Sequence, residues 1–221
     1  MIKPIPIGII AATPTDTRFG VIIFRSHGFV PHGVSITHSP QEQTSFQAFN
    51  KEELTERVRT NVLKLIKLKV SAVVIYCNSL SGAIDLEYIR KNSSIPIVTP
   101  LDVYCKIAKQ YSVIGLFAAN GQSVANIERL IISKNVHATV VGLGNLLIVK
   151  AIEAKKEPKW IIRHFGIASL YKYFEFIGCE IILLACTHFP YFNNELHAGV
   201  KIPILDPADE MIKSIQDMLK V

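Results

Sequence analysis

Two apolar runs in this chain close in the same way. SAVVIYCN (71–78) and EIILLACT (180–187) each read as a buried strand that ends on a cysteine and a small hydrogen-bonding residue. In parallel α/β sheets ligands bind beyond the carboxyl ends of the strands, and Cys77 and Cys186 fall at such ends. A loop or helix start there supplies backbone N–H groups that favour a thiolate. A single cysteine so placed is most often just a small buried apolar residue. Two in matching positions, each beside a polar partner (Asn78, Thr187), point instead to chemistry. Opposed thiols suit the inversion of a stereocentre, in which a base removes a proton from one face and an acid delivers one to the other. Thiolate and thiol exchange these roles with the direction of reaction, and hydrogen bonds to a substrate carboxylate stabilise the carbanion-like transition state.

The cysteines belong to a longer echo. IPIGIIAAT (5–13) is answered by VIGLFAAN (113–120), with Gly8 and Gly115 separated by 107 positions. IPIVTP (95–100) and IPILDP (202–207) are also 107 apart, and Cys77 and Cys186 are 109 apart. The repeat predicts an α/β protein of two similar Rossmann-like lobes. Their parallel sheets are related by a pseudo-two-fold axis, with the active site in the cleft between them. The first lobe takes residues 1–100 plus 207–221, because the last helix occupies the place in its cycle that 101–110 occupies in the first. The second lobe takes 101–206.

The elements that must position the thiols follow from the pattern. Strands are expected at 5–11, 71–76, 95–99, 112–118, 137–141, 180–185 and 202–205, and continuous apolar strands between helices imply parallel sheets covered on both faces. Thr13 to Asp16 reads as a polar turn. Asn50 and Glu53 resemble a capping box for a helix carrying Leu54, Val58, Val62 and Leu65. Helices are expected at 82–92, at 101–110, from Asn120 to about 133, in two stretches either side of Pro158, and from Asp206-Pro207 onward.

Composition limits the function classes. The chain has 221 residues, 49% hydrophobic and 19% charged, which describes a globular protein with a sizeable core. The net charge of +6 is spread over Lys64, Lys67, Lys69, Lys150, Lys155, Lys156, Lys159 and Arg163. That spacing reads as solvated helix faces with no aromatic interleaving, so no nucleic-acid partner is expected. The balance draws in an anionic substrate only weakly under cellular salt. The opening MIKPIPIGII is too short and Pro-interrupted for a signal peptide, and no run is long enough to span a membrane. Four cysteines without a CxxC pair favour reduced thiols over a disulfide framework or a zinc site, hence a cytoplasmic protein with no metal. GLG at 142–144 lacks the third glycine of a dinucleotide fingerprint. Cys105 and Cys179 read as structural, and His27, His32 and His38 as loop residues without metal-ligand spacing.

CNS (77–79) and ACTHFP (185–190) resemble the CNT and GCTHYP signatures of the cofactor-independent aspartate/glutamate racemase superfamily. Cys-Thr-His is similar to the glutamate racemase branch. The resemblance covers nearly the whole chain, including the strands at 7–10, 113–118 and 204–206. It implies that Cys77 and Cys186 are the two catalytic bases and that Asn78, Ser79 and Thr187 bind the substrate. It also implies that His188 assists Cys186, and that no cofactor is needed. VGLGNLLIVKAIE (141–153) is similar to a family segment whose final glutamate supports one cysteine, making Glu153 a candidate beside the alternative of an ordinary exposed helical glutamate.

Two departures stand out. Where the family has Asp-Ser-Gly after its first strand, this chain has Ala11, Ala12 and Thr13, with Thr15 and Asp16 nearby to supply polar groups, or simply to cap a helix. The family's Pro-Tyr-Gly substrate loop is replaced by Ser45-Phe46-Gln47 within a polar stretch. The reading that follows is racemisation of a small acidic amino acid, glutamate or aspartate, by proton transfer between two cysteines, and a homodimer is compatible with it. The alternatives are a maleate-type isomerase of the same superfamily, a non-catalytic two-lobed ligand-binding protein, and a thiol-redox protein.

Overall fold

Short runs of β-branched and aliphatic residues between amphipathic helices fold as that patterning requires, into parallel strands sandwiched by helices. The computed structural model describes residues 5–193, 195–196 and 200–220. In chain order the first elements are β1 (Ile5–Ala11), α1 (Pro14–Ser26), β2 (Phe29–Ser35), α2 (Pro40–Phe49), α3 (Lys51–Lys67), β3 (Val73–Ile75), α4 (Asn78–Ala83), α5 (Leu86–Lys91), β4 (Ile97–Val98) and α6 (Pro100–Ile107). There follow β5 (Val113–Ala118), α7 (Gly121–Lys134), β6 (Thr139–Gly144), α8 (Leu146–Glu153), α9 (Pro158–His164), α10 (Ile167–Phe176), β7 (Ile181–Ala185), α11 (Pro190–Asn193), β8 (Ile204–Leu205) and α12 (Ala208–Leu219).

The chain forms two compact units. One takes the residues up to Asp102 and those from Ala208 on, and the other is Val103–Pro207. The first holds a sheet of order β2-β1-β3-β4 and the second a sheet of order β6-β5-β7-β8. Every neighbouring pair is parallel. The two sheets therefore share one connectivity, and β3 and β7, which lead into the cysteines, hold the same place in each.

The repeated glycines have the same packing task in both units. A Cβ on Gly8 would lie 2.6 Å from Leu65 Cδ1, and one on Gly115 would lie 3.1 Å from Phe174 Cγ. In each case the helix before the cysteine strand, α3 or α10, lies directly on the first strand of its sheet. Helix α3 buries Leu54, Val58, Val62 and Leu65 in the first core, as their spacing predicts. Each such side chain contributes about 1.5–3 kcal/mol by leaving water. The second core is aromatic. Phe117 of β5 meets Phe189 at a centroid distance of 4.4 Å and Tyr171 edge-on at 6.2 Å.

Four local expectations change. Residues 29–35, read as loop, are the edge strand β2, paired along its length with β1. The helix expected at 82–92 divides into α4 and α5, and the Asp85 carboxylate starts α5 by accepting from the Tyr88 N–H at 2.9 Å. Three helices surround Pro158 where two were expected, because Gly166, with φ +62, separates α9 from α10. Asn50 precedes α3 without a side-chain cap bond, so the capping box does not form.

Candidate active site

In the first unit, the carboxyl ends of β1, β2 and β3 are tied into one rim. The Tyr76 N–H donates to the Ile10 carbonyl at 2.7 Å, and the Thr37 N–H and hydroxyl both donate to the Ala12 carbonyl at 2.9 Å. Thr13 caps α1, its Oγ1 accepting from the Asp16 N–H at 3.2 Å. The polar turn at 13–16 is thus the first turn of a helix, and it carries Asp16 inward to 1% exposure. Cys77 opens α4 from extended backbone, and its Sγ lies 3.3 Å from the Ser79 hydroxyl. Thr13, Asp16, Cys77, Asn78 and Ser79 are all buried.

Ser45, unlike them, is exposed. Residues 39–47, within which Ser45-Phe46-Gln47 was read as the counterpart of a substrate loop, form the greater part of helix α2. Ser39 Oγ accepts from the Glu42 N–H at 3.2 Å, the Glu42 carboxylate accepts from the His38 N–H at 2.8 Å, and Pro40 occupies the first turn. Ser45 lies on the exposed side of that helix, while Gln43 and Phe46 face inward, Phe46 against the cluster that includes Cys77 and Leu80. Both polar atoms of the Gln43 amide are sealed from solvent without a hydrogen-bond partner. An unpaired buried amide costs about 1–3 kcal/mol. Nothing in the sequence marked it, because one of three glutamines in a polar helix gives no signal of burial.

The second unit repeats the plan with different chemistry. Asn120 stands 107 positions after Thr13 and caps α7 as Thr13 caps α1, accepting from the Ser123 N–H at 2.9 Å. Ser123, buried to 1% exposure, takes the place that Asp16 holds in the first unit. Cys186 follows β7, and its Sγ lies 3.8 Å from His188 Nδ1. The other ring nitrogen, Nε2, is 3.0 Å from Glu153 Oε1 at the end of α8. His188 is buried and the Glu153 side chain is 20% exposed, so the pair is largely shielded. Sulfur, imidazole and carboxylate form a continuous chain. Phe189 and Phe192, fully buried against Phe117, pin the turn that carries Thr187 and His188.

Tyr104 on α6 also belongs to this neighbourhood and was not singled out from sequence. Its phenol is fully buried, and its pKa is held well above the usual range, first by burial and then by the negative charges of Asp206 and Cys186. It therefore keeps its proton. Its one sequence signal was a polar-tipped aromatic on the helix that leaves β4.

All four cysteines are described, and no disulfide joins any of them. Among the described residues, no group of three or more His, Cys, Asp or Glu is arranged to hold a metal ion, and no helix is long and apolar enough to cross a membrane.

Two parallel sheets of one connectivity, each delivering a buried cysteine and hydrogen-bonding neighbours at the same strand end, define a duplicated α/β scaffold. The Asp/Glu/hydantoin racemase family model matches residues 7–215, and the chain belongs to that family. It is 26% identical over 173 residues to the glutamate racemase of Fusobacterium nucleatum, a match spanning 73% of this chain and 61% of that protein. The chain thus matches about three fifths of the length of that relative. In fold it is similar to the Francisella tularensis glutamate racemase solved with D-glutamate, at 16% identity and a TM-score of 0.70 over 98% of this chain and 81% of that one. It is equally similar to the Picrophilus torridus aspartate racemase, at 13% identity and a TM-score of 0.71 over 98% and 94% of the two chains.

Proposed function

We propose that this protein racemises a small acidic amino acid, glutamate or aspartate, by proton transfer between Cys77 and Cys186, without a cofactor. The reading rests on one observation above the others. The two thiols end equivalent strands of two sheets with the same order, and each meets a side chain two residues further on, Ser79 or His188. In the proposed reaction the two thiols act on opposite faces of the substrate Cα.

When Cys186 acts as base, its proton has passed to His188 Nδ1. The Nε2–H then donates to Glu153, whose carboxylate stabilises the imidazolium. The Cys186 thiolate removes the Cα proton while the Cys77 thiol delivers one from the other face, leaving Cys186 protonated and Cys77 as thiolate. The reverse reaction exchanges the roles. Asn78, Ser79 and Thr187 hold the substrate carboxylate and ammonium groups, so that charge growing on the carboxylate meets fixed donors. Thr13 and Asp16 supply the polar lining of the first unit. The cytoplasm, where thiols stay reduced, is the fitting compartment.

The test is incubation of single enantiomers of glutamate and aspartate in deuterated water. Inversion with incorporation of deuterium at Cα is expected. Cys77→Ala and Cys186→Ala should each abolish inversion. Full inversion in either variant refutes the assignment. The same assay separates this reading from a maleate-type isomerase, which leaves both amino acids unlabelled and converts maleate instead.

A further inference from the structure

We propose that Gln43 reads the distal group of the substrate and does so without selecting its charge, so that the carboxamide analogue of the acidic amino acid is turned over as well as the acid. The inference rests on the racemase reading above and concerns the same site. Gln43 is 4% exposed, and neither its Nε2 nor its Oε1 has a hydrogen-bond partner. Buried amides are normally paired, so this one is built for a group that the free protein does not hold.

Its position fits that role. Gln43 lies in the first turns of α2, just past the carboxyl end of β2, where the backbone is tied through Thr37 to the end of β1. Helix α2 packs against α4, the helix that Cys77 opens, and Phe46, one turn on from Gln43 on the same inward side, touches the cluster that holds Cys77. Ser39 caps α2 through the Glu42 N–H, and the Gln43 side-chain amide takes no part in that cap. Three side-chain torsions let it swing toward an arriving ligand.

The surrounding chemistry sets the selectivity. Among the described residues of the first unit, the buried polar ones include threonines, serines, Gln43, Asn78 and the carboxylate of Asp16, but no lysine or arginine. A site that selects a carboxylate by charge uses such a cation. An amide instead gives a carboxylate its N–H groups, and gives a carboxamide both its N–H and its carbonyl. Discrimination between the two then stays small, because neither ligand leaves the protein amide wholly unpaired.

The experiment measures deuterium exchange and inversion of glutamate, glutamine, aspartate and asparagine by wild type, Gln43→Leu, Gln43→Glu and Gln43→Lys. It also follows the Gln43 side-chain amide by 15N NMR during titration with each amino acid. In the wild type, kcat/KM for an acid and its carboxamide should agree within about tenfold. Gln43→Glu should shift that ratio toward the carboxamide and Gln43→Lys toward the acid, each by about tenfold or more. Gln43→Leu should lower both while melting no lower than wild type, since it removes an unpaired buried amide. Acid-only turnover, or ratios unmoved by the charge changes, overturns the inference and leaves the racemase reading intact. No exchange with any amino acid, but a saturable shift of the Gln43 amide, overturns the racemase reading alone. Neither exchange nor shift overturns both.

Discussion

His188 Nε2 lies 3.0 Å from Glu153 Oε1 while the opposite ring nitrogen faces the Cys186 thiol. One imidazole thus joins a sulfur to a carboxylate across the β7 strand end. In the first unit the residue two positions after the cysteine is a serine, and the Cys77 thiol lies 3.3 Å from its hydroxyl. The two halves share a backbone plan but differ in how each thiol is served, and this asymmetry has a kinetic consequence.

Glu153→Gln keeps the shape of the His188 contact and removes its charge. Turnover is expected to fall about 10- to 100-fold, part of the total that acid–base catalysis supplies. Racemisation has an equilibrium constant of 1 by symmetry, so kcat/KM must fall equally for both enantiomers. The asymmetry should appear instead in deuterium washed into recovered substrate, altered for one enantiomer only, and in a shifted limb of the pH–rate profile. A purely structural role would lower the melting temperature and leave both of these unchanged.

Gly8→Ala and Gly115→Ala test the repeated packing. The new methyl at Gly8 meets Leu65 at 2.6 Å, and at Gly115 it meets the Phe174 ring at 3.1 Å and the Ile181 carbonyl at 3.3 Å. Overpacking of this kind costs about 1–3 kcal/mol. Each variant should therefore melt several degrees lower by calorimetry. Unchanged melting in both would show that the two helices do not press on the strands as described.

Asn120→Ala removes the acceptor for both the Ser123 N–H, at 2.9 Å, and the Ser123 hydroxyl, at 2.8 Å. Loss of a cap of this kind costs about 1 kcal/mol. Asn120→Asp should retain most of the stability, because a carboxylate accepts the same two bonds. Chemical denaturation of the three proteins provides the comparison.

Alkaline pH should weaken the fold. Burial raises the phenols of Tyr104 and Tyr171 above their ordinary value of 10.0. The unfolded chain therefore releases these protons at lower pH than the folded one. The stabilisation is complete below pH 10.0 and is lost as pH climbs beyond it. Melting temperatures measured between pH 8 and 11 should fall across the upper part of that range. Tyr171→Phe should flatten the fall, while losing the 3.3 Å bond from its hydroxyl to Asn193 Oδ1.

The residues that proved legible in the sequence were those under strong local constraint. β1 and β5 were readable because continuous apolar runs bounded by polar caps have few other fates, and Asn120 because a cap must sit at a helix start. β2 was hidden by Pro31 and Gly33, which read as breakers, yet an edge strand tolerates a missing donor on its outer side. Asn50 carried the letters of a capping box but not the backbone geometry to use them. Glu153 was visible only as a candidate, since whether a helical glutamate is solvated or paired depends on a tertiary contact with His188. Gln43 and Tyr104 were silent for the same reason, because their burial comes from elements distant in the chain.

Helix α12 returns after the whole second unit has been traversed, and it lays Met211, Ile212 and Ile215 into the first. On the ribosome, the later-made unit has all its parts before the earlier one does. The order of folding is thereby set against the order of synthesis, and until α12 emerges the apolar flank of β4 stands uncovered, a window in which a chaperone or another nascent chain can bind.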